Sequence, residues 1–344
     1  MPFQLLRFTV KREGCNGVRP LSLGDFMEGT VASFKLYDPV ASQDNYLALC
    51  RRSWNDEGRR RPDLLRVCNP LTGEWFHIPE LISVPPNNYA LLVATDISLD
   101  GHMSQSFLLV AVWIVGKMFI YLYYCSKTRE WWMPTSFPQL MPDLFLLFSS
   151  AVASNGGIHW LCGSSKSWML THVVTLHVDV EELSYLELPS EAKGNMLLAN
   201  SADGCLLLLI VRDVQMSLWK HKSEPSSDNG DWILSETIDL TNYLPMPVIK
   251  VQSRAVVRLE IFRGKSGTVV LWIEGEGLFL FSLSDQSVRK LDNERITKNC
   301  CICAYEIDWL SCLAVTNLVF DDSSLLDVRM KQVQRRWRTL WQRM

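Results

Sequence analysis

LLRVCNPLTGEWFHIP, residues 64–79, decides the fold. An apolar run enters a polar turn, an aromatic or apolar pair follows, and proline often closes the unit. The same order returns as YLYYCSKTREWWMP (121–134), VVTLHVDVEELSYLELP (173–189), MSLWKHKSEPSSDNGDWILSETIDL (216–240) and LFLFSLSDQSVRKLD (278–292). Aligning Trp75, Trp131, Tyr185, Trp232 and Val288 gives intervals of 56, 54, 47 and 56 residues. The stretch FKLYDPVASQDNYLALC at 34–50 reads as an earlier partial copy.

A period near fifty built from short strands is the signature of a kelch-type β-propeller blade. The polar turn then joins a blade's outer strands, and the apolar strand before it packs between neighbouring blades. Three further strands precede copies of the unit: SNGGIHWLCG (154–163), ADGCLLLLIV (202–211) and SGTVVLWIEG (266–275). In each, glycine opens a strand of Leu, Ile, Val and Trp, as a tight turn feeding a buried strand requires. The expectation is an all-β chain, a propeller of about six blades, or seven, over residues 31–316. A β-sandwich pair is the alternative, because strand spacing does not separate the two.

The flanks read differently. Residues 1–30 form a separate N-terminal segment. The last twenty residues, LLDVRMKQVQRRWRTLWQRM, lack Gly and Pro, and Leu326, Met330, Val333, Trp337 and Leu340 fall on one helical face. A basic amphipathic α-helix is expected over 324–344, docked on the domain or offered to an acidic partner.

Composition narrows the class. The chain has 344 residues, 48% of them hydrophobic and 21% charged, which excludes a disordered or collagen-like chain. Its net charge of -3 provides no global field for nucleic acid, so none is expected as a partner. Ten cysteines are scattered, several in apolar runs (Cys50, Cys125, Cys205, Cys312). Reduced thiols in cytoplasm or nucleus are expected. FLLVAVWIVGKMFIYLYYC, 107–125, has the length and hydropathy of a membrane span. Gly116-Lys117 splits it into two β-branched and aromatic runs, so it reads as a hairpin instead, with no integral membrane segment.

A search for chemistry finds none. GKSG at 264–267 lacks the glycine a phosphate loop needs five residues earlier, where Leu259 stands. Cys300 and Cys303 have a zinc spacing, but Cys301 and Cys312 supply no second such pair, and buried strand thiols are the simpler reading. The six histidines are isolated; His172 and His177, five apart in a strand, face opposite sides, and His77 and His159 read as strand residues. No catalytic, cofactor-binding or metal residue is assigned, no cofactor is implied, and no enzyme activity is expected. Arg51, Arg52, Arg59, Arg60 and Arg61 flank a polar loop. They read as a solvated hairpin loop, with an acidic-partner contact or a nuclear address as the functional alternatives.

VCNPLTGEWFHIP (67–79), GGIHWLC (156–162), THVVTLHVDVEELSYLELP (171–189), DWILSETIDL (231–240), VVLWIEGEGLFLFSLSDQSVRKL (269–291) and AYEIDWLSCL (304–313) occur in an order and spacing that resemble the plant F-box-associated interaction domains. The resemblance covers roughly residues 31–316. It implies a protein-binding domain, the substrate-recognition arm of a Skp–cullin–F-box ubiquitin ligase. Members of that family begin with a helical F-box. Residues 1–26 show no such pattern, being broken by Gly14, Gly17, Pro20 and Gly24. The expectation is therefore binding of a protein target, without a Skp adaptor as partner. An independent scaffold or inhibitor, binding through a propeller face, is the second reading.

Overall fold

The computed structural model describes residues 37–291, apart from 55–59, 71–73, 81–85, 87, 98–102, 116, 135–138, 141–143, 148–150, 155, 165, 223–230, 245–256 and 265. These residues form five antiparallel blades taken in sequence order. Blade 1 is β1 (Tyr37–Gln43), β2 (Tyr46–Trp54), β3 (Arg60–Asn69) and β4 (Glu74–Ile78). Blade 2 is β5 (Asn88–Ile97), β6 (Met103–Val115), β7 (Met118–Cys125) and β8 (Glu130–Trp132), with β9 (Gln139–Leu140) added against β7.

Blade 3 has a divided inner strand. Both β10 (Leu144–Leu146) and β11 (Val152–Ser154) pair with β12 (Gly157–Ser164), followed by β13 (Leu170–His177) and β14 (Glu182–Glu187). Blade 4 is β15 (Asn195–Asn200), β16 (Leu206–Arg212), β17 (Gln215–Lys222) and β18 (Asp231–Asp239). Blade 5 is β19 (Val257–Arg263), β20 (Thr268–Ile273), β21 (Gly277–Ser282) and β22 (Val288–Lys290). Apart from one 3-10 turn at Leu240–Asn242, the described residues contain no helix.

Two compact units divide the chain, blades 1 and 2 in the first and blades 3 to 5 in the second, the turn at 177–182 going with the first. Within each, first strands lie side by side, β1 beside β5 and β15 beside β19, which is how neighbouring propeller blades meet. In blade 4, side-chain alternation sends residues toward two neighbours. In β16, Leu206, Leu208 and Ile210 pack with Leu161 and Val173 of blade 3. Leu207, Leu209 and Val211 pack with Leu259, Leu271 and Phe279 of blade 5. A strand buried on both faces has no polar side, so it reads as an unbroken apolar run.

The hairpin reading of 107–125 holds for the same reason. Val115 pairs with Met118, leaving two residues for the turn between β6 and β7. Phe107, Leu109, Ala111 and Trp113 face blade 1, while Leu108, Val110 and Val112 are buried on the other side. The Phe107 ring meets Tyr46 at 5.4 Å, Phe76 edge-on at 5.0 Å and Tyr124 at 6.2 Å. No described helix is long and apolar enough to cross a membrane.

The blade number differs from expectation: five stand among the described residues, rather than six or seven. The expected number came from dividing the whole span 31–316 by the period, whereas the blades described occupy 37–291. Residues 37–50 form the inner pair β1–β2 of blade 1, whereas the repeat marks outer pairs, so the partial copy there adds no blade. The expected C-terminal helix at 324–344, the N-terminal segment 1–30 and the closing strand at 304–313 lie outside the described residues.

Trp75, Trp131, Tyr185, Trp232 and Val288 all fall in fourth strands, as the period requires. Two of them tie blades together. Trp131 Nε1 donates to the Pro79 carbonyl at the end of blade 1, at 2.9 Å. Trp232 Nε1 donates to the Glu187 carbonyl at the end of blade 3, also at 2.9 Å. Val288 has no donor, and there Gln286 takes over. It accepts from Tyr243 Oη and donates to Glu236 at 3.3 Å.

The glycines that open the second strands also have a cause. Gly156, Gly204 and Gly267 have φ of 79°, 84° and 59°, where a side chain would meet the following carbonyl.

Replacing Trp131 or Trp232 by Phe removes one indole donor each. Each change is expected to cost about 1 kcal/mol, and the double variant to show the sum, because the sites are far apart in sequence and share no partner. Urea unfolding checks this. Alkaline stability follows from the core. Burial pushes the Cys68 and Cys162 thiols up to about 12, and burial, with Glu74 nearby, pushes Tyr46 up to about 12. The folded state thus holds protons the unfolded chain releases from about pH 9 upward. Stability should be undiminished by these groups below pH 9 and fall as pH rises toward 12, measured as the urea midpoint against pH.

Candidate interaction surface

The β12–β13 turn presents the most exposed large apolar residue described. Trp168 is 77% exposed and Met169 50%. The turn is held by its own backbone. Ser164 N–H donates to the Met169 carbonyl at 2.9 Å, and Trp168 N–H to the Ser164 carbonyl at 2.8 Å. Serine hydroxyls complete it, Ser164 Oγ accepting from Lys166 N–H and Ser167 Oγ from Met169 N–H.

Trp168 has φ of 56°, a region where a bulky side chain is a genuine outlier. Its ring lies against Phe145 of β10, centroids 5.4 Å apart. Phe145 in turn lies over Gly163, where any Cβ would overlap its ring. The sequence GSSKSWM thus has a job for each end: Gly163 makes room for Phe145, and Phe145 props the indole in water. A propped aromatic with few rotamers is what a binding anchor needs.

Second-to-third-strand turns recur in kind. Val115, beside the corresponding turn of blade 2, is 56% exposed. In blade 1 the corresponding turn is the arginine-flanked loop, and residues 55–59 of it lie outside the described residues.

Other singled-out residues find structural places. Gly264 and Gly267 belong to the β19–β20 turn, and a Cβ on Gly264 would overlap the Asn200 carbonyl oxygen. That stretch is a turn packed under blade 4. His159 bridges Thr175 Oγ1 at 2.8 Å and the Ser154 carbonyl at 3.3 Å. His77 stands opposite Arg66 on β4, and His172 and His177 lie on β13. Cys50, Cys68, Cys125, Cys162 and Cys205 form no disulfide among the described residues. Cys300, Cys301, Cys303 and Cys312 lie outside the described residues. Among the described residues no group of three or more His, Cys, Asp or Glu is placed to hold a metal ion.

Sequence reasoning did not single out Trp168. It lies outside the repeated unit, and its exposure depends on Phe145, 23 positions upstream in a divided strand. The one legible signal was a Trp-Met pair inside a serine-rich turn.

Comparison with known proteins adds three findings. A family model described as a domain of unknown function (DUF7595) matches residues 14–318. An Arabidopsis thaliana protein named F-box protein At5g49610 is 26% identical over 188 residues, covering 51% of this chain and 50% of that protein. The chain thus spans about half the length of this curated relative. Among solved structures, a Mycobacterium tuberculosis puromycin-hydrolyzing peptidase aligns over 85% of this chain and 42% of its own, at 9% identity and a TM-score of 0.40. A Pseudomonas aeruginosa periplasmic gluconolactonase aligns over 74% and 71%, at 14% identity and a TM-score of 0.40.

Gly163→Ala tests the support of the indole. The added methyl must displace Phe145, and overpacking of this kind costs about 1–3 kcal/mol. The indole emission of Trp168 is expected to shift as its ring contact is lost, while Gly156→Ala, with open space around its Cβ, changes stability without that local shift.

Proposed function

The chain belongs to the DUF7595 family, and we propose that it is a protein-recognition module, of the kind that forms the substrate-recognition arm of a Skp–cullin–F-box ubiquitin ligase. The half-length similarity to an Arabidopsis F-box protein supports this, as does the ordered set of motifs shared with F-box-associated domains. Kelch-like blades leave their connecting turns free to vary, and a rigid scaffold with variable turns suits binding.

The observation that carries the reading is Trp168. An indole 77% exposed, in a strained backbone conformation and propped by Phe145, is costly to keep unless a partner covers it. The target is a protein, no chemistry is performed on it by this chain, and the compartment is cytoplasm or nucleus. The five cysteines among the described residues form no disulfide, which suits a reducing compartment.

Trp168→Gly separates function from folding. Glycine relieves the positive φ, so the melting temperature should stay level or rise. Capture of the native target by the purified chain should weaken by about 2 kcal/mol, roughly thirtyfold, the loss typical of a central aromatic. Co-capture of a Skp adaptor with that target supports the ligase reading. A target bound equally by wild type and variant would show that Trp168 is not the anchor.

A further inference from the structure

The β13–β14 turn is fastened to blade 2. Tyr123 Oη of β7 donates to Glu181 Oε1 at 3.4 Å, and the turn goes with the first unit. Trp132 of β8 stands opposite Tyr123, so the two share a face. Trp132 is 36% exposed, and Val180, next to Glu181 in the chain, is 55% exposed. Two large apolar side chains therefore stand in water on either side of the Tyr123–Glu181 bond. The turn is held around Val180: its N–H donates to Asp179 Oδ1 at 3.1 Å.

The same surface is acidic. Glu130 stands opposite Cys125, two residues from Tyr123, and so lies on the face of Trp132. Asp179 and Glu182 belong to the turn itself. All three carboxylates are exposed, and among the described residues none of them forms an ion pair. Of the cations on the adjoining β7–β8 turn, Lys127 already has a partner. Arg129 stands by Tyr124, on the face toward blade 1. Exposed apolar side chains among unanswered carboxylates select an occupant that is both apolar and basic.

The chain carries such a segment. The family model ends at residue 318, and the last stretch lies beyond it. Over 324–344 six Lys or Arg stand against one Asp, and Leu326, Met330, Val333, Trp337 and Leu340 recur at helical spacing. A tethered segment meets its site at an effective concentration on the order of a millimolar, ahead of a free partner of the same chemistry.

We propose that segment 324–344 docks on this surface of its own chain, with its apolar stripe over Trp132 and Val180 and its cations against Glu130, Asp179 and Glu182. Nucleic acid and anionic lipid can attract the tail, but the carboxylates repel both from this surface. The site is separate from the Trp168 turn, and the proposal does not depend on what that turn binds.

Tryptic release of the tail, followed by mass spectrometry on the full chain at low salt, tests it. Wild type should lose its tail at least tenfold more slowly than a synthetic peptide of residues 324–344 is cut. Val180→Asp, and Glu130→Lys combined with Glu182→Lys, should each speed release at least fivefold. These positions are exposed, so the melting temperature should hold. Glu187→Lys, a charge reversal at an exposed site of the second unit, should leave the rate unaltered. Arg335→Glu with Arg336→Glu should also free the tail, read at Arg329 and Lys331, and combining this pair with the Glu130→Lys and Glu182→Lys pair should restore protection. Wild-type release as fast as the peptide, no effect of the surface variants, equal acceleration by Glu187→Lys, or no restoration by the combined reversal would each overturn the proposal. Protection that grows with chain concentration would assign the tail to a second copy, and protection only with phosphatidylserine vesicles would assign it to a membrane; either result would overturn docking on its own chain.

Discussion

The structure depends on strands that are buried on both faces. In β16 one set of side chains packs on blade 3 and the alternate set on blade 5. Each fully buried aliphatic side chain contributes about 1.5–3 kcal/mol, so a single strand binds two neighbours at once. Neither face of β16 is spare for water, and blade 4 does not close a core alone. This constraint sets the composition: runs such as Leu206–Val211 and Phe107–Trp113 keep no polar alternation because neither side meets solvent.

Face-to-face apolar packing is tolerant of sliding, and directional contacts at the edges set the fit. On the outer side, an indole from one fourth strand reaches a carbonyl ending the previous one, at Trp131–Pro79 and Trp232–Glu187. On the inner side, side-chain amides do the same work. Gln43 Oε1 accepts from the Val93 N–H at 3.2 Å, and Asn195 Oδ1 accepts from the Leu259 N–H at 2.5 Å. Between blades 3 and 4, Ser154 Oγ donates to the Gly204 carbonyl at 2.6 Å and Asn200 Nδ2 to the Ala153 carbonyl at 3.2 Å. Each bond is modest, but together they hold the turns at fixed heights. A surface feature such as the Trp168 turn gains from that rigidity, because a positioned side chain loses less freedom on binding.

The two surface features share a physical logic. Each holds side chains in a state that the described fold leaves incompletely compensated. Trp168 has an apolar surface in water and a positive φ. Trp132 and Val180 have apolar surface in water beside carboxylates without a cation. One lacks apolar cover and the other lacks cover and counter-charge together, which a protein partner and the chain's own basic tail respectively can supply.

The sequence by itself determined the all-β, bladed architecture. The period of Trp75, Trp131, Tyr185 and Trp232 marked the fourth strands, where two of them, Trp131 and Trp232, reach the end of the preceding blade. Gly156, Gly204 and Gly267 marked the second strands, because only glycine enters those turns without strain. Chain order was legible because every blade is a local meander. Tertiary structure decided the rest. Whether 34–50 was an outer or an inner pair depended on its partners, since both are short apolar hairpins, and only pairing with β3 settled it. Trp168 became an exposed indole through Phe145 and Gly163. Exposure and charge pairing are properties of which strands meet, and a one-dimensional pattern of residues does not contain them.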